Sequence, residues 1–230
     1  WDDEGRVIEK KGNCCGFSSK LTYDEDNNVR TLEDANGHVT TFNYDHNGNM
    51  LSSTDALGNT QYYTYESTFN NILSYTDKKG NVYHFSYDDH GNLTEMRTPL
   101  NTTTSFTYNN YGQLLTSTDA NGNVTTFVYD TYGNLVSLTD ALGNTNTMTY
   151  TIAGNITSTK DPNQAETRIT YNNADELIRM VDPLGNALQM SYDSRGVITA
   201  VTDAKQHVTH LTYDALRQPI AITGPMNNTI

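Results

Sequence analysis

No stretch of this 230-residue chain approaches the roughly 20 apolar residues that a membrane-spanning helix needs, so membrane insertion is not expected. No signal-like segment opens it either, and it starts at Trp1 without an initiator Met, as expected of a fragment of something longer. Cations are scarce: 14 Lys and Arg face 27 acids, for a formal charge of −13 and a pI near 4.6. Affinity for phosphate scales with neutralising Lys and Arg, so nucleic acid and anionic lipid are poor partners for this chain. Cysteine is confined to Cys14 and Cys15, and adjacent cysteines close only a strained vicinal disulfide that cannot staple a fold. Apolar and charged residues are both low, at 35% and 18%, and uncharged Thr, Asn, Ser and Gly fill the gap. That is not the high-charge composition of a disordered chain. Thr and 16 Tyr suit pleated strands, while Asn, Asp and Gly suit the turns between them, so composition points to an all-β chain.

The order of residues sharpens that reading into a repeat. Tyrosine recurs as Tyr23, Tyr44, Tyr65, Tyr87, Tyr108, Tyr129, Tyr150, Tyr171, Tyr192 and Tyr213, with steps of 21 residues and one of 22. The extra residue falls in Glu66-Ser67-Thr68-Phe69-Asn70-Asn71, where insertion into a turn is expected. Two residues before each tyrosine stands an apolar side chain, from Leu21, Phe42 and Tyr63 to Met190 and Leu211. The residue between is almost always small and polar, as Thr22, Ser86 and Thr149 are, so the strand has one buried and one wetter face. A turn follows the tyrosine, as in Asp45-His46-Asn47-Gly48-Asn49, and then a second strand opens on an apolar residue such as Met50, Leu93 or Leu135. Only the last unit differs, with Pro219 there, which suggests an edge or a local end. A second turn closes each unit, with glycine supplying positive φ at Gly37, Gly58, Gly80, Gly122, Gly143 and Gly185. Two strands of about six residues and two turns of about four to five use up the unit, so no helix is expected and each hairpin must lean on its neighbours.

Tyrosine-Asp, two further residues, Gly-Asn, an apolar strand and Asp-x-x-Gly together resemble the YD-repeat or RHS-repeat family. Tyr-Asp itself stands at six of the ten anchors, Tyr23, Tyr44, Tyr87, Tyr129, Tyr192 and Tyr213, and the resemblance runs from about Trp1 to Thr223. Similar chains occur in bacterial polymorphic toxins, the C component of insecticidal toxin complexes, wall-associated proteins and the teneurins. The resemblance implies a secreted or cell-surface bacterial protein whose repeats form a spiral sheet closing into a hollow shell around a C-terminal effector of the same polypeptide, absent here. On this reading residues 1–230 are a single array of about ten repeats, forming a curved β-solenoid arc. About 20 strands at 4.8 Å would run roughly 96 Å, and so long an open sheet must twist and curl.

No residues that would carry catalysis, a cofactor or a metal emerge. Acidic turns such as Asp34-Ala35-Asn36-Gly37 and Asp119-Ala120-Asn121-Gly122 lack the longer run of alternating oxygen ligands of a calcium loop. His207 and His210, three apart on a strand, point to opposite faces. The family's shells often end in self-cleaving paired Asp-Pro-x-Gly segments, but Asp161-Pro162-Asn163-Gln164 and Asp182-Pro183-Leu184-Gly185 lie one repeat apart at ordinary turns, so no catalytic role is carried over. The tyrosine ladder reads as packing rather than a sugar-stacking surface; Tyr62, Tyr111 and Tyr132 are better glycan candidates. Two functions compete, a non-enzymatic shell wall and a surface module binding glycan or a partner cell. A cut array also leaves raw strand edges. Pro219 and Gly224-Pro225 partly blunt the C-terminal edge, Gly12-Asn13-Cys14-Cys15-Gly16 leaves the other unprotected, and self-association through those edges is expected.

Overall fold

The computed structural model describes residues 1–11 and 18–225. Cys14, Cys15 and the rest of Gly12–Gly16 lie outside the described residues. The chain divides into two compact units, Trp1–Asn123 and Val124–Ile230, built on one plan, with the division at the end of an ordinary repeat turn. Among the described residues there are 21 strands and no helix. Within each unit consecutive strands pair antiparallel with their sequence neighbours, as in Val39–Tyr44 with Met50–Thr54 and Leu135–Thr139 with Thr145–Tyr150. From Ser18 onward, strands of six residues ending on the tyrosine alternate with strands of five opening where the sequence placed an apolar residue.

Every hairpin closed by the turn after a tyrosine, here called the A turn, carries a β-bulge at the tyrosine. Asn43 lies opposite Ser52, but Tyr44 lies opposite Met50, so Leu51 is the extra residue. The same slip recurs at Tyr23, Tyr65, Tyr108, Tyr129 and the other anchors, whereas the pairings across the second turn, the B turn, run without one. A bulge bends its strand and raises local twist, so each hairpin is deformed at its A end and regular at its B end. Pro219 opens the last described strand opposite Tyr213, at a strand start and on the edge strand of its unit, where a missing N–H costs least.

The alternation of exposure follows the period-two reading: Val39–Tyr44 runs exposed, half-buried, exposed, half-buried to the tyrosine. Depth of burial differs from the expected buried face. Among the described residues no apolar side chain is fully buried, and the only buried residues are Ser19, Ser52 and Ser53. Each unit is a single layer, so the apolar side chains pack sideways along the sheet with nothing laid over them.

Candidate functional site

The two turns of the repeat, read separately from sequence, are one device. In the A turn of the second repeat the Gly48 N–H donates to the Asp45 carbonyl at 3.1 Å and the Asp45 N–H to the Asn49 carbonyl at 2.9 Å. In the B turn Gly58 N–H donates to the Asp55 carbonyl at 2.9 Å and Asp55 N–H to the Asn59 carbonyl at 3.0 Å. This is a three-residue hairpin loop whose last residue must take the left-handed conformation. All the positive-φ residues among those described sit at that place: 13 glycines, including Gly37, Gly58, Gly80, Gly122, Gly143 and Gly185, and Asn27, Asn70, Asn101, Gln164, Asp175, Gln206 and Arg217.

The leading carboxylate holds the loop. Asp130 Oδ1 accepts from the backbone N–H of Tyr132 and of Asn134, both at 2.9 Å, and Oδ2 accepts from the Asn134 side-chain amide at 3.0 Å. Donors aimed at the ionised form hold the carboxyl below its ordinary range, first through the Asn side chain at Asp45, Asp77, Asp88, Asp119, Asp130, Asp140 and Asp182. At Asp55 the largest cause is the Lys78 ammonium, 2.9 Å away. His38 and His207 occupy the Asn position in two turns, each with Nδ1 3.1 Å from the Asp carboxylate. His207 therefore belongs to a turn and His210 to the following strand, and no group of three or more His, Cys, Asp or Glu converges as a metal set among the described residues. Asp161-Pro162 and Asp182-Pro183 open ordinary B turns.

The anchor tyrosines, expected to be packed, are half-buried at strand ends and also hydrogen-bonded. The ladder between Met50–Thr54 and Thr60–Tyr65 reaches Ser52 opposite Tyr62, and beyond it the Tyr65 hydroxyl donates to the Met50 carbonyl at 2.8 Å. Tyr87 does the same to Ile72 at 2.9 Å, Tyr150 to Leu135 at 2.7 Å and Tyr192 to Leu177 at 2.8 Å, and Tyr23 reaches Val7 at 2.9 Å. Met50, Ile72, Leu135 and Leu177 each adjoin the bulge of the preceding hairpin, so the phenol stitches the distorted end of one repeat to the next. Phenylalanine would pack there and leave the carbonyl unserved. Partial burial raises the phenol pKa at Tyr44, Tyr63, Tyr65, Tyr87, Tyr108 and Tyr192.

The opposite face carries a hydroxyl ladder: Thr22 with Thr31 at 2.6 Å, Thr64 with Ser74 at 2.7 Å, Thr107 with Thr116 at 2.6 Å and Thr149 with Ser158 at 2.8 Å. Cross-strand hydroxyl pairs stabilise a sheet without demanding burial. The sequence signalled the first member of each pair, the small polar residue before the tyrosine, but not its partner, because the register depends on the bulge. On the apolar face Tyr63, Tyr75 and Tyr83 stack with ring centroids 5.1 and 5.7 Å apart, so Tyr75 shows an edge rather than a face to solvent. That disfavours sugar stacking there. Tyr62, Tyr111 and Tyr132 are exposed, at 54%, 89% and 76%.

The six-residue turn Glu66–Asn71 holds the insertion and spans its neighbours. Asn70 accepts from Asn49 at 3.0 Å in the preceding A turn, Asn71 donates to the Gly91 carbonyl at 3.3 Å in the following one, and Phe69 lies against Gly91.

A bulged tyrosine hairpin closed by an Asp-x-x-Gly-Asn loop at each end is the unit of a recognised repeat. The RHS Repeat model matches residues 23–60, 67–103, 87–117, 108–145 and 192–225. The chain belongs to the RHS repeat family. No curated protein sequence matches it. Among solved structures it is similar to the TcdB2-TccC3 crystal structure, with a TM-score of 0.71 at 19% identity over 96% of this chain and 14% of that one. The TcdB2-TccC3-Cdc42 structure gives 0.71 at 18% over 96% and 13%. The form of TcdB2-TccC3 without its hypervariable C-terminal region gives 0.67 at 19% over 90% and 13%. This RHS chain thus spans about one seventh of the chain it resembles, and the likeness is one of fold.

Proposed function

We propose that these RHS repeats form a curved stretch of wall in a secreted or surface-displayed bacterial shell, non-enzymatic itself, that sequesters an effector carried C-terminally on the same polypeptide. The observation that supports this reading is the single-layered sheet of each unit, built from one repeated hairpin and bearing one half-exposed apolar face. A wall needs repetition and two distinct faces, whereas a catalytic domain needs converging side chains. The TcdB2-TccC3 relative has a C-terminal region described as hypervariable, as a cargo that changes while its container stays constant would be. Reading the coding sequence beyond Ile230 is the direct test. A non-repetitive C-terminal domain that resists protease in the full-length protein, and is digested readily once separated, supports encapsulation. A repeat array ending in a wall anchor, or a C-terminal domain digested equally fast in both settings, sinks it. The second reading, glycan or partner-cell adhesion, draws on the exposed rings of Tyr62, Tyr111 and Tyr132, and a glycan array in which their Ala variants lose binding would favour it.

A further inference from the structure

The third residue of each B turn follows an alternation that the 21-residue repeat does not require. Leu57, Leu100, Leu142 and Leu184 stand there in every second repeat, and the turns between carry Asn or Lys, as at Asn36, Lys79 and Asn121. These leucines do not pack: Leu57 is 88% exposed and Leu100 85%. Within the unit Trp1–Asn123 the two are four strands apart, about 19 Å at ~4.8 Å per strand. The A-turn edge of that unit carries a matching pair, also four strands apart: Phe69, 49% exposed, and Tyr111, 89% exposed.

Charge at the loop tips divides the same way. Among the described residues the outward B-turn positions of this unit carry Lys79 and Lys78, the latter paired with Asp55, and no acid, whereas those of the A turns carry Asp3, Glu25, Asp26 and Asp89, with Glu4 paired to Arg6, and neither Lys nor Arg. The Asp residues that close the loops are engaged by their own turns and are not part of this contrast. A hollow beside Leu57, walled by Leu32, His38, Thr40 and Ala56, lies between successive B turns and has room for an aromatic tip.

We propose that the B-turn edge of the unit Trp1–Asn123 docks onto the A-turn edge of a second copy of this chain, Leu57 and Leu100 meeting Phe69 and Tyr111 while Lys79, two strands from each leucine, faces Asp89, two strands from each ring. The contact is side to side between loop tips and involves no strand-to-strand pairing. It is heterologous, since the two edges differ, so each copy retains one free edge and association does not close at a dimer.

Sedimentation of the chain over a concentration series tests this. Average mass should keep rising with concentration, and more steeply at low salt. L57N/L100N, which installs the Asn that neighbouring B turns already carry, should weaken association at least about tenfold, with the strand signal in circular dichroism unchanged. K79E should weaken it, D89K should weaken it, and the two combined should restore it. A strict monomer throughout, association indifferent to these substitutions, or a combined variant no better than its parents would overturn the proposal. K79E strengthening association would do so as well, by pointing to contact between two B-turn edges.

Discussion

At the scale of the residue, the left-handed loop position separates backbone strain from packing. Gly122 has φ +83 and nothing within 4 Å of where a Cβ would stand, so Gly122→Ala should cost only the left-handed penalty, about 1–2 kcal/mol. Gln164 already carries that strain at φ 68, and Gln164→Gly should relieve it, less the entropy that glycine loses on folding, for a net gain of at most ~1 kcal/mol. Denaturant midpoints moving in opposite directions for the two variants would check the argument, and a shared direction would refute it. The anchors allow a similar dissection. Tyr150→Phe keeps the ring but strips the donor from the Leu135 carbonyl, which should cost about 1 kcal/mol. Tyr150→Ala should cost about 2 kcal/mol, below the ~3–5 of a fully enclosed aromatic, because the ring is only half-buried. The phenol's second role was not legible in the sequence. An apolar partner two residues earlier announces packing, but the carbonyl it serves lies 15 residues back and adjoins a bulge that no local pattern signals.

At the scale of the element, the loops differ in what holds them, and pH should tell them apart. In the turn Asp119–Asn123 the carboxylate accepts from Asn121, from Asn123 and from the Asn123 side chain, which lowers its folded pKa. A depressed folded pKa contributes stability that is full above the unfolded value near 4 and is lost as pH falls through the folded one. The turns Asn109–Gln113 and Thr151–Asn155 open on neutral side chains and lack that dependence. Amide exchange read by mass spectrometry should show the turns led by Asp119, Asp130 and Asp140 loosening below about pH 4 while the two neutral turns hold until the sheet itself gives way. The phenols act at the other end. Raised folded pKa values at Tyr65 and Tyr87 give stability that is present below the ordinary tyrosine value near 10 and lost as pH rises through the folded one. Strand content should therefore fall in step with tyrosinate absorbance in strong alkali. Strand alternation, the insertion at Glu66–Asn71 and the glycine turns were all legible, because each is written in local residues. The equivalence of the two turns was written there too, in the recurring Asp-x-x-Gly-Asn of both Asp45–Asn49 and Asp55–Asn59, but different flanking strands disguised it.

At the scale of the whole molecule, the expectation that the sequence could not settle was a buried face. A period-two pattern requires that one side be less wet and says nothing of what covers it, so Phe42, Tyr63 and Phe127 proved half-exposed, each in a single-layered unit. Stability in such a chain is a sum over hairpins and the contacts between neighbours, which makes the repeat, not the domain, the unit of tolerance. Removing residues 145–165, one full 21-residue repeat from Thr145–Tyr150 through the B turn, rejoins Asn144 to Glu166 and restores every type of contact. That variant should keep its strand signal and unfold at a slightly lower midpoint. Removing only residues 145–155 takes one strand and one turn. The five-residue strand Leu135–Thr139 would then adjoin Ile156–Lys160, its own kind, with no tyrosine for the bulge and no phenol for the Leu135 carbonyl. Every following strand would also run in the reverse direction relative to the repeats before it. This shorter deletion should lose the larger share of strand content although it removes fewer residues, and circular dichroism of the two variants compared residue for residue would reveal the opposite order if the hairpin were not the unit that holds the array together.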